Sequence, residues 1–246
     1  MIDCISVENM RNSDRHTIEN GVPSITLIQR AAMAVYNSVS WRGTVAIVCG
    51  SGNNGADGYA LACILKEQGI ACSLIAVNPK LHGDAAHYAE KAEKMGITIL
   101  SYQSGILHGF DIIVDCMLGT GFKGNLRDTY RNAIEEINTS SATVISVDIN
   151  SGLNGDDGTY EAAVISDLTV TIGYVKTGLI VKNVEPIIKQ LICVDIGIGL
   201  LKEEYKICTH TEWRQLCIAH GIDERETKLE LQSQIYYLCP SWLDIQ

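Results

Sequence analysis

The chain has 246 residues, 46% hydrophobic and 20% charged, enough for one sizeable core or two small ones. Its formal net charge of −10 excludes a surface built to coat nucleic acid or an anionic membrane, while leaving room for a nucleotide held by glycine loops and helix ends. No apolar run approaches bilayer length, and Cys49, Cys63, Cys72, Cys116 and Cys193 lie in apolar segments without a CxxC pair or signal peptide, so a cytoplasmic protein with reduced thiols is expected.

Residues 1–40 read as helical. Arg11 to Asn20 gives a short polar helix, Gly21-Val22-Pro23-Ser24 breaks it, and Ile25, Leu27, Ile28, Ala31, Ala32, Val35 and Tyr36 space out a more apolar one. Strands at 44–48, 72–77, 97–100, 111–116 and 143–149 then alternate with helices at 57–68, 84–95 and 127–138, and strand-like runs follow at 168–172 and 191–196. That rhythm predicts an α/β fold, a mostly parallel central sheet with helices on both faces. Right-handed crossovers would align every strand-to-helix loop along one sheet edge. Residues 1–205 form this unit. Residues 206–246, with Trp213, His220, a charged run from Asp223 to Glu230 and then Tyr236 to Pro240, are expected to be a helix pair packed on the sheet or a loosely attached extension, without a catalytic role.

Three loops at strand ends carry the chemistry. The first, Gly50-Ser51-Gly52-Asn53-Asn54-Gly55-Ala56-Asp57-Gly58, follows a buried strand and opens a helix, so it offers bare backbone N–H groups and a helix N-terminus to an anion, most often a phosphate. The second runs from Asp115 through Gly119-Thr120-Gly121-Phe122-Lys123-Gly124-Asn125; the third is Asp148-Ile149-Asn150-Ser151-Gly152. Each acid alone reads equally well as a turn or cap residue, but three such loops on one edge make a concave site. Asn54, Asp115 and Ser151 present hard oxygens with one full negative charge among them, which suits a large monovalent cation better than calcium and does not suit zinc. Asp148 would face the chemistry as a general acid/base or a hydrogen-bond anchor. Lys176 reads either as a phosphate neutraliser or as a solvated surface lysine, and Tyr130 either as a packing residue or as one reaching back to the ligand.

The segments GSGNNGADGYALA, DCMLGTGFKGNLRDTY, SVDINSGLNGDDG and IGYVKTGL together resemble the YjeF N-terminal domain, the NAD(P)H-hydrate epimerase family, with similarity from about residue 10 to Ile198. The resemblance implies a Rossmann-like three-layer αβα sandwich, a homodimer, and interconversion of the R and S epimers of hydrated NADH and NADPH as a repair step for a separate S-specific dehydratase. It further implies that Asn53, Asn54, Gly55, Ala56 and Asp57, together with Gly119 through Asn125, Tyr130 and Asp148, bind the nucleotide hydrate. Asn54, Asp115 and Ser151 would hold a potassium ion, and Asp148 would move the proton as the hydroxyl leaves C6 of the reduced ring and water returns. Two positions depart from the family pattern: Ala56 stands where a second glycine is usual, and Asn150 where proline is usual.

Two other readings compete with this one. Gly50 to Gly55 fits the G-x-G-x-x-G fingerprint of a dinucleotide-dependent dehydrogenase, but the next strand ends at Val77-Asn78-Pro79 without the acid that grips the ribose. A non-catalytic nucleotide-binding or scaffolding module of the same fold would be expected to lack the acids, and Asp57, Asp115 and Asp148 are all present.

Overall fold

A computed structural model describes residues 1–221, 223, 228–230 and 236–238. Its centre is a sheet of seven parallel strands: β2 (Val45–Cys49), β3 (Cys72–Ala76), β4 (Ile99–Ser101), β5 (Ile112–Cys116), β6 (Thr143–Val147), β7 (Leu168–Ile172) and β9 (Leu191–Val194), in the order β4-β3-β2-β5-β6-β7-β9. β2 and β5 are buried along their whole length, the burial expected of apolar strands covered on both faces. Helices α2 (Ser24–Ser38), α3 (Asn53–Glu67) and α4 (Gly83–Lys94) pack on one face around Leu61, Leu65 and Ala92. α5 (Asp128–Thr139) covers the other with Ala133, Ile134 and Ile137. The result is the expected three-layer α/β architecture. Cys49, Cys63, Cys72, Cys116 and Cys193 are thiols, and among the described residues no helix is long and apolar enough to cross a membrane.

The chain steps outward from β2 to β3 and β4, then returns to lay β5 on the opposite side of β2. This reversal leaves a crevice beyond the C-terminal ends of β2 and β5, where ligands of such sheets bind. Close packing there depends on glycine. A Cβ on Gly50 would lie 1.9 Å from the Met117 carbonyl oxygen, so the first loop touches the second through bare backbone. A Cβ on Gly58 would lie 2.7 Å from Cys49 Sγ and 2.8 Å from Cys116 Cβ, so α3 rests directly on β2 and β5.

The ends of the chain differ from the expectation. Residues 1–40 are not wholly helical: β1 (Ile2–Ile5) precedes α1 (Val7–Glu19) and pairs in parallel with β8 (Val175–Lys176) and antiparallel with β10 (Tyr205–Ile207). β12 (Tyr236–Leu238) and β11 (Lys228–Glu230) continue this second sheet, and α6 (His210–His220) is the helix described beyond residue 205. The extension is thus tied to the N-terminal strand by backbone pairing instead of forming a helix pair. Parts of the charged run and of the aromatic stretch (224–227, 239 and 240) lie outside the described residues.

Candidate active site

The loops converge on a cleft of about 1000 Å³ at the switch point, at the upper end of small-molecule sites. α3 begins at Asn53, four residues earlier than its hydrophobic spacing predicts, because Gly52 caps it with no side chain and nothing in the sequence marks the start. Its first turn holds no acid and its cap has no side-chain acceptor, so its leading N–H groups remain available to an anion. Asn53, Asn54 and Asp57 line the cleft from this turn, and Gly119, Thr120, Gly121, Phe122, Lys123 and Asn125 line it from the second loop. Arg11 Nη2 donates to the Thr120 carbonyl at 2.7 Å and pins that loop to α1.

Gly55 and Ala56 do not reach the cleft. Both are buried, Gly55 against the Gly50 carbonyl and Ala56 in the core beneath α3, while Gly124 lies at the loop's outer turn with φ +113. The Ala56 methyl is accommodated inside the helix. Asn150 replaces a rigid residue with a buried network: its Nδ2 donates to the Val164 carbonyl at 2.8 Å and its Oδ1 accepts from Thr169 Oγ1 at 2.7 Å. Tyr130 is buried at the start of α5 and faces the cleft. Burial pushes its hydroxyl upward, while Arg127 and hydrogen bonds from Ser51 and Asn78 pull it back.

Asn54, Asp115 and Ser151 meet around the peptide of Leu118. Asn54 Nδ2 donates to the Leu118 carbonyl at 3.0 Å, and the Leu118 N–H donates to Ser151 Oγ at 2.8 Å. Ser151 Oγ donates to Asp115 Oδ1 at 2.5 Å, and Ser146 Oγ and the Ser151 N–H bind Oδ2 at 3.0 and 2.8 Å. The Asp115 carboxylate is fully buried, with no cation paired to it among the described residues. Burial raises its pKa, and the hydrogen bonds from Ser151, Met117 and Ser146 oppose that shift. Because Asn54 Nδ2 must face a carbonyl, its Oδ1 points the other way, buried and without a partner among the described residues. A buried carboxylate without a counter-cation and an unpartnered amide oxygen, joined through Ser151 and Leu118, fit a singly charged cation.

Asp148 closes β6 in the left-handed region, φ +67, alone among the described non-glycine residues. Its N–H still donates to the Val170 carbonyl at 2.8 Å, so the strand ladder holds while the side chain turns into the cleft. Lys176 is neither on the surface nor placed to meet a phosphate. It is fully buried behind Asp148 and forms an ion pair with it.

Asp14, Glu19, Asp57 and Asp84 line the cleft along with Asp148. Desolvation drives the Asp57 carboxyl well above the usual range, with the charges of Asp148 and Asp14 adding and Lys176 opposing. Asp14, on α1, is also raised, by burial first and by Asp148 second. Asp14 escaped the sequence reading because α1 looked merely polar. The available signal was spacing, since Met10, Asp14 and Ile18 recur every four residues and all line the cleft.

The family described as YjeF-related protein N-terminus matches residues 24–178. The chain belongs to that family. It is 31% identical over 199 residues to the NAD(P)H-hydrate epimerase of Limosilactobacillus fermentum, covering 78% of this chain and 95% of that one. It is 34% identical over 207 residues to the NAD(P)H-hydrate epimerase of Rhodopirellula baltica, covering 80% and 85%. The bifunctional NAD(P)H-hydrate repair enzyme Nnr of Archaeoglobus fulgidus is 35% identical over 202 residues, 80% of this chain and 42% of that protein. Among solved structures, yeast ynu0 shares the fold, with a TM-score of 0.64 at 21% identity over 72% of this chain and 83% of that one. The YjeF-related match includes all three loops and Lys176 but begins after α1, so Arg11 and Asp14 lie outside it.

Proposed function

We propose that this member of the YjeF-related family is an NAD(P)H-hydrate epimerase, interconverting the R and S epimers of hydrated NADH and NADPH. One observation carries the reading: a chain alike along most of its length to proteins of that name gathers its three glycine loops into one cleft that holds two carboxyls in different surroundings. Asp57 is held toward its neutral acid form by desolvation, whereas Asp148 sits against a buried ammonium. Such a pair divides the roles of acid and base.

The basic side chains Arg11, Arg15, Lys123 and Arg127 line the cleft, and with the open N-terminus of α3 they suit the diphosphate and ribose end of a dinucleotide. The hydrated ring would then lie by Asp57 and Asp148. Asp57 gives its proton to the C6 hydroxyl as the ring nitrogen expels it as water, leaving a planar iminium-like ring. Asp148 takes a proton from the water that adds to the opposite face, and proton exchange between the two carboxyls restores the starting state. The cleft's task is to hold that ring in register between the two steps.

Asn54, Asp115 and Ser151 would hold a potassium ion. Bound there, it would supply a fixed positive charge beneath the second loop. The bifunctional repair enzymes, of which this chain covers less than half, support pairing with a second repair activity, in this reading an NAD(P)H-hydrate dehydratase. The same reading has the protein act in the cytoplasm as a homodimer. The test adds purified protein to R-hydrate together with an S-specific dehydratase and follows loss of the hydrate's ultraviolet absorbance. Clearance of the R epimer only when this protein is present is expected, and R-hydrate that persists at the uncatalysed rate refutes the reading.

A further inference from the structure

We propose that Lys176 is the positioning residue of the epimerase reaction: its buried ammonium fixes the Asp148 carboxylate in one orientation, with Oδ1 consumed by the protein and Oδ2 presented to the hydrated ring. The inference rests on the epimerase reading for its kinetic consequences, but its structural content is independent of it.

The geometry around Lys176 leaves the ammonium no freedom. Its three protons go to three acceptors: Asp148 Oδ1, Thr171 Oγ1 at 3.0 Å and the Ile172 carbonyl at 2.8 Å. Its side chain has no solvent exposure, whereas that of Asp148 retains 17%. The pair is therefore lopsided, with the cation sealed inside and the carboxylate at the cleft wall. Asp148 Oδ1 takes a second bond from the Ile172 N–H at 3.3 Å, and Oδ2 takes none among the described residues. The oxygen left for a ligand is thus set by the one that the protein occupies.

A buried ion pair of this kind contributes little net stability, since desolvating both charges offsets their attraction. Its retention at the one described non-glycine residue with left-handed backbone points to orientation. Without the ammonium, only the Ile172 N–H still binds the carboxylate, which shares its surroundings with the acidic side chains of Asp14 from α1 and Asp57 from α3. Lys176 is itself held from the far side, because Ile5 of β1 pairs with it in the second sheet. It cannot reach substrate without leaving its pocket, so it acts only through Asp148.

The test compares wild type with Lys176→Met, Lys176→Arg and Thr171→Val in the dehydratase-coupled assay and by crystallography. Lys176→Met is expected to lower kcat about 100-fold, the cost of a misplaced catalytic group, with KM within about threefold of wild type. Lys176→Arg, which keeps the charge, recovers at least about tenfold of that loss. In the Lys176→Met crystal structure, Asp148 leaves either its left-handed backbone or its rotamer. Should the variants at 176 not fold, Thr171→Val removes one acceptor and is expected to lower kcat about 3–10-fold at unchanged KM. The inference is overturned if Asp148 keeps its place in Lys176→Met, if kcat is unchanged there, or, where only Thr171→Val folds, if its kcat equals wild type. An inactive wild type together with a displaced Asp148 in Lys176→Met would sink the epimerase reading and leave the positioning role standing.

Discussion

Asp115 and Asp148 close neighbouring regions of the same sheet edge, each followed by a glycine-containing loop, and in sequence they look interchangeable. Their surroundings differ in counter-charge and in exposure. Asp148 has its counter-charge within the chain, the ammonium of Lys176, and keeps an edge in the cleft. Asp115 is sealed at 0% exposure with hydroxyl and amide donors only. In the proposed reading, the carboxylate with an internal partner serves the reaction, and the one without would take its balance from a bound cation.

The largest effect should come from Asp148→Asn, which keeps the shape and its contact with the Ile172 N–H but cannot accept a proton. A loss of about 10³-fold in kcat is expected, with hydrate binding retained by calorimetry. Asp57→Asn should cost about 10²-fold in kcat and should change stability with a definite sign. The folded carboxyl of Asp57 is pushed above its unfolded value, so its contribution is present below the unfolded range and is lost as pH rises through the folded value. The always-neutral asparagine is therefore expected to melt about 2–4 °C above wild type near pH 8 and to lose that advantage below about pH 4, read by calorimetric scans.

On the other side of the comparison, replacing choline chloride by potassium chloride should raise the melting temperature of wild type by about 2–4 °C, and Asp115→Asn should erase the response. If Asp148→Asn erased it as well, the two carboxylates would not be separable in the way argued. The smallest effect belongs to the rim: Arg11→Met frees the Thr120 carbonyl and should raise KM about threefold while leaving kcat and the potassium response alone.

The parallel sheet was legible because its central strands are buried and read as apolar runs, unbroken in Val45–Cys49 and interrupted only by Asp115 in Ile112–Cys116. The crevice was legible from three glycine loops at strand ends that right-handed crossovers bring to one sheet edge. The missed features depend on partners distant in sequence. Ile2–Ile5 is too short to declare itself a strand, and its partners lie at 175–176 and 205–207. Lys176 carries no local mark of burial; the acid 28 residues before it decides where it lies. Asp14 belongs to the cleft only because α1 is drawn across the sheet edge, and Gly55 and Ala56 leave it because α3 starts at Asn53.

The pairing of β1 with β8 and β10 has a consequence for how the protein is made. The helix that brings Arg11 and Asp14 to the cleft is anchored at its start by Ser6, whose N–H donates to Glu204 Oε2 at 2.6 Å. During translation those first residues leave the ribosome long before the segment that seats them. The central sheet can assemble on the nascent chain while one wall of its crevice still hangs loose, so ligand competence arrives abruptly, after residue 204 has emerged.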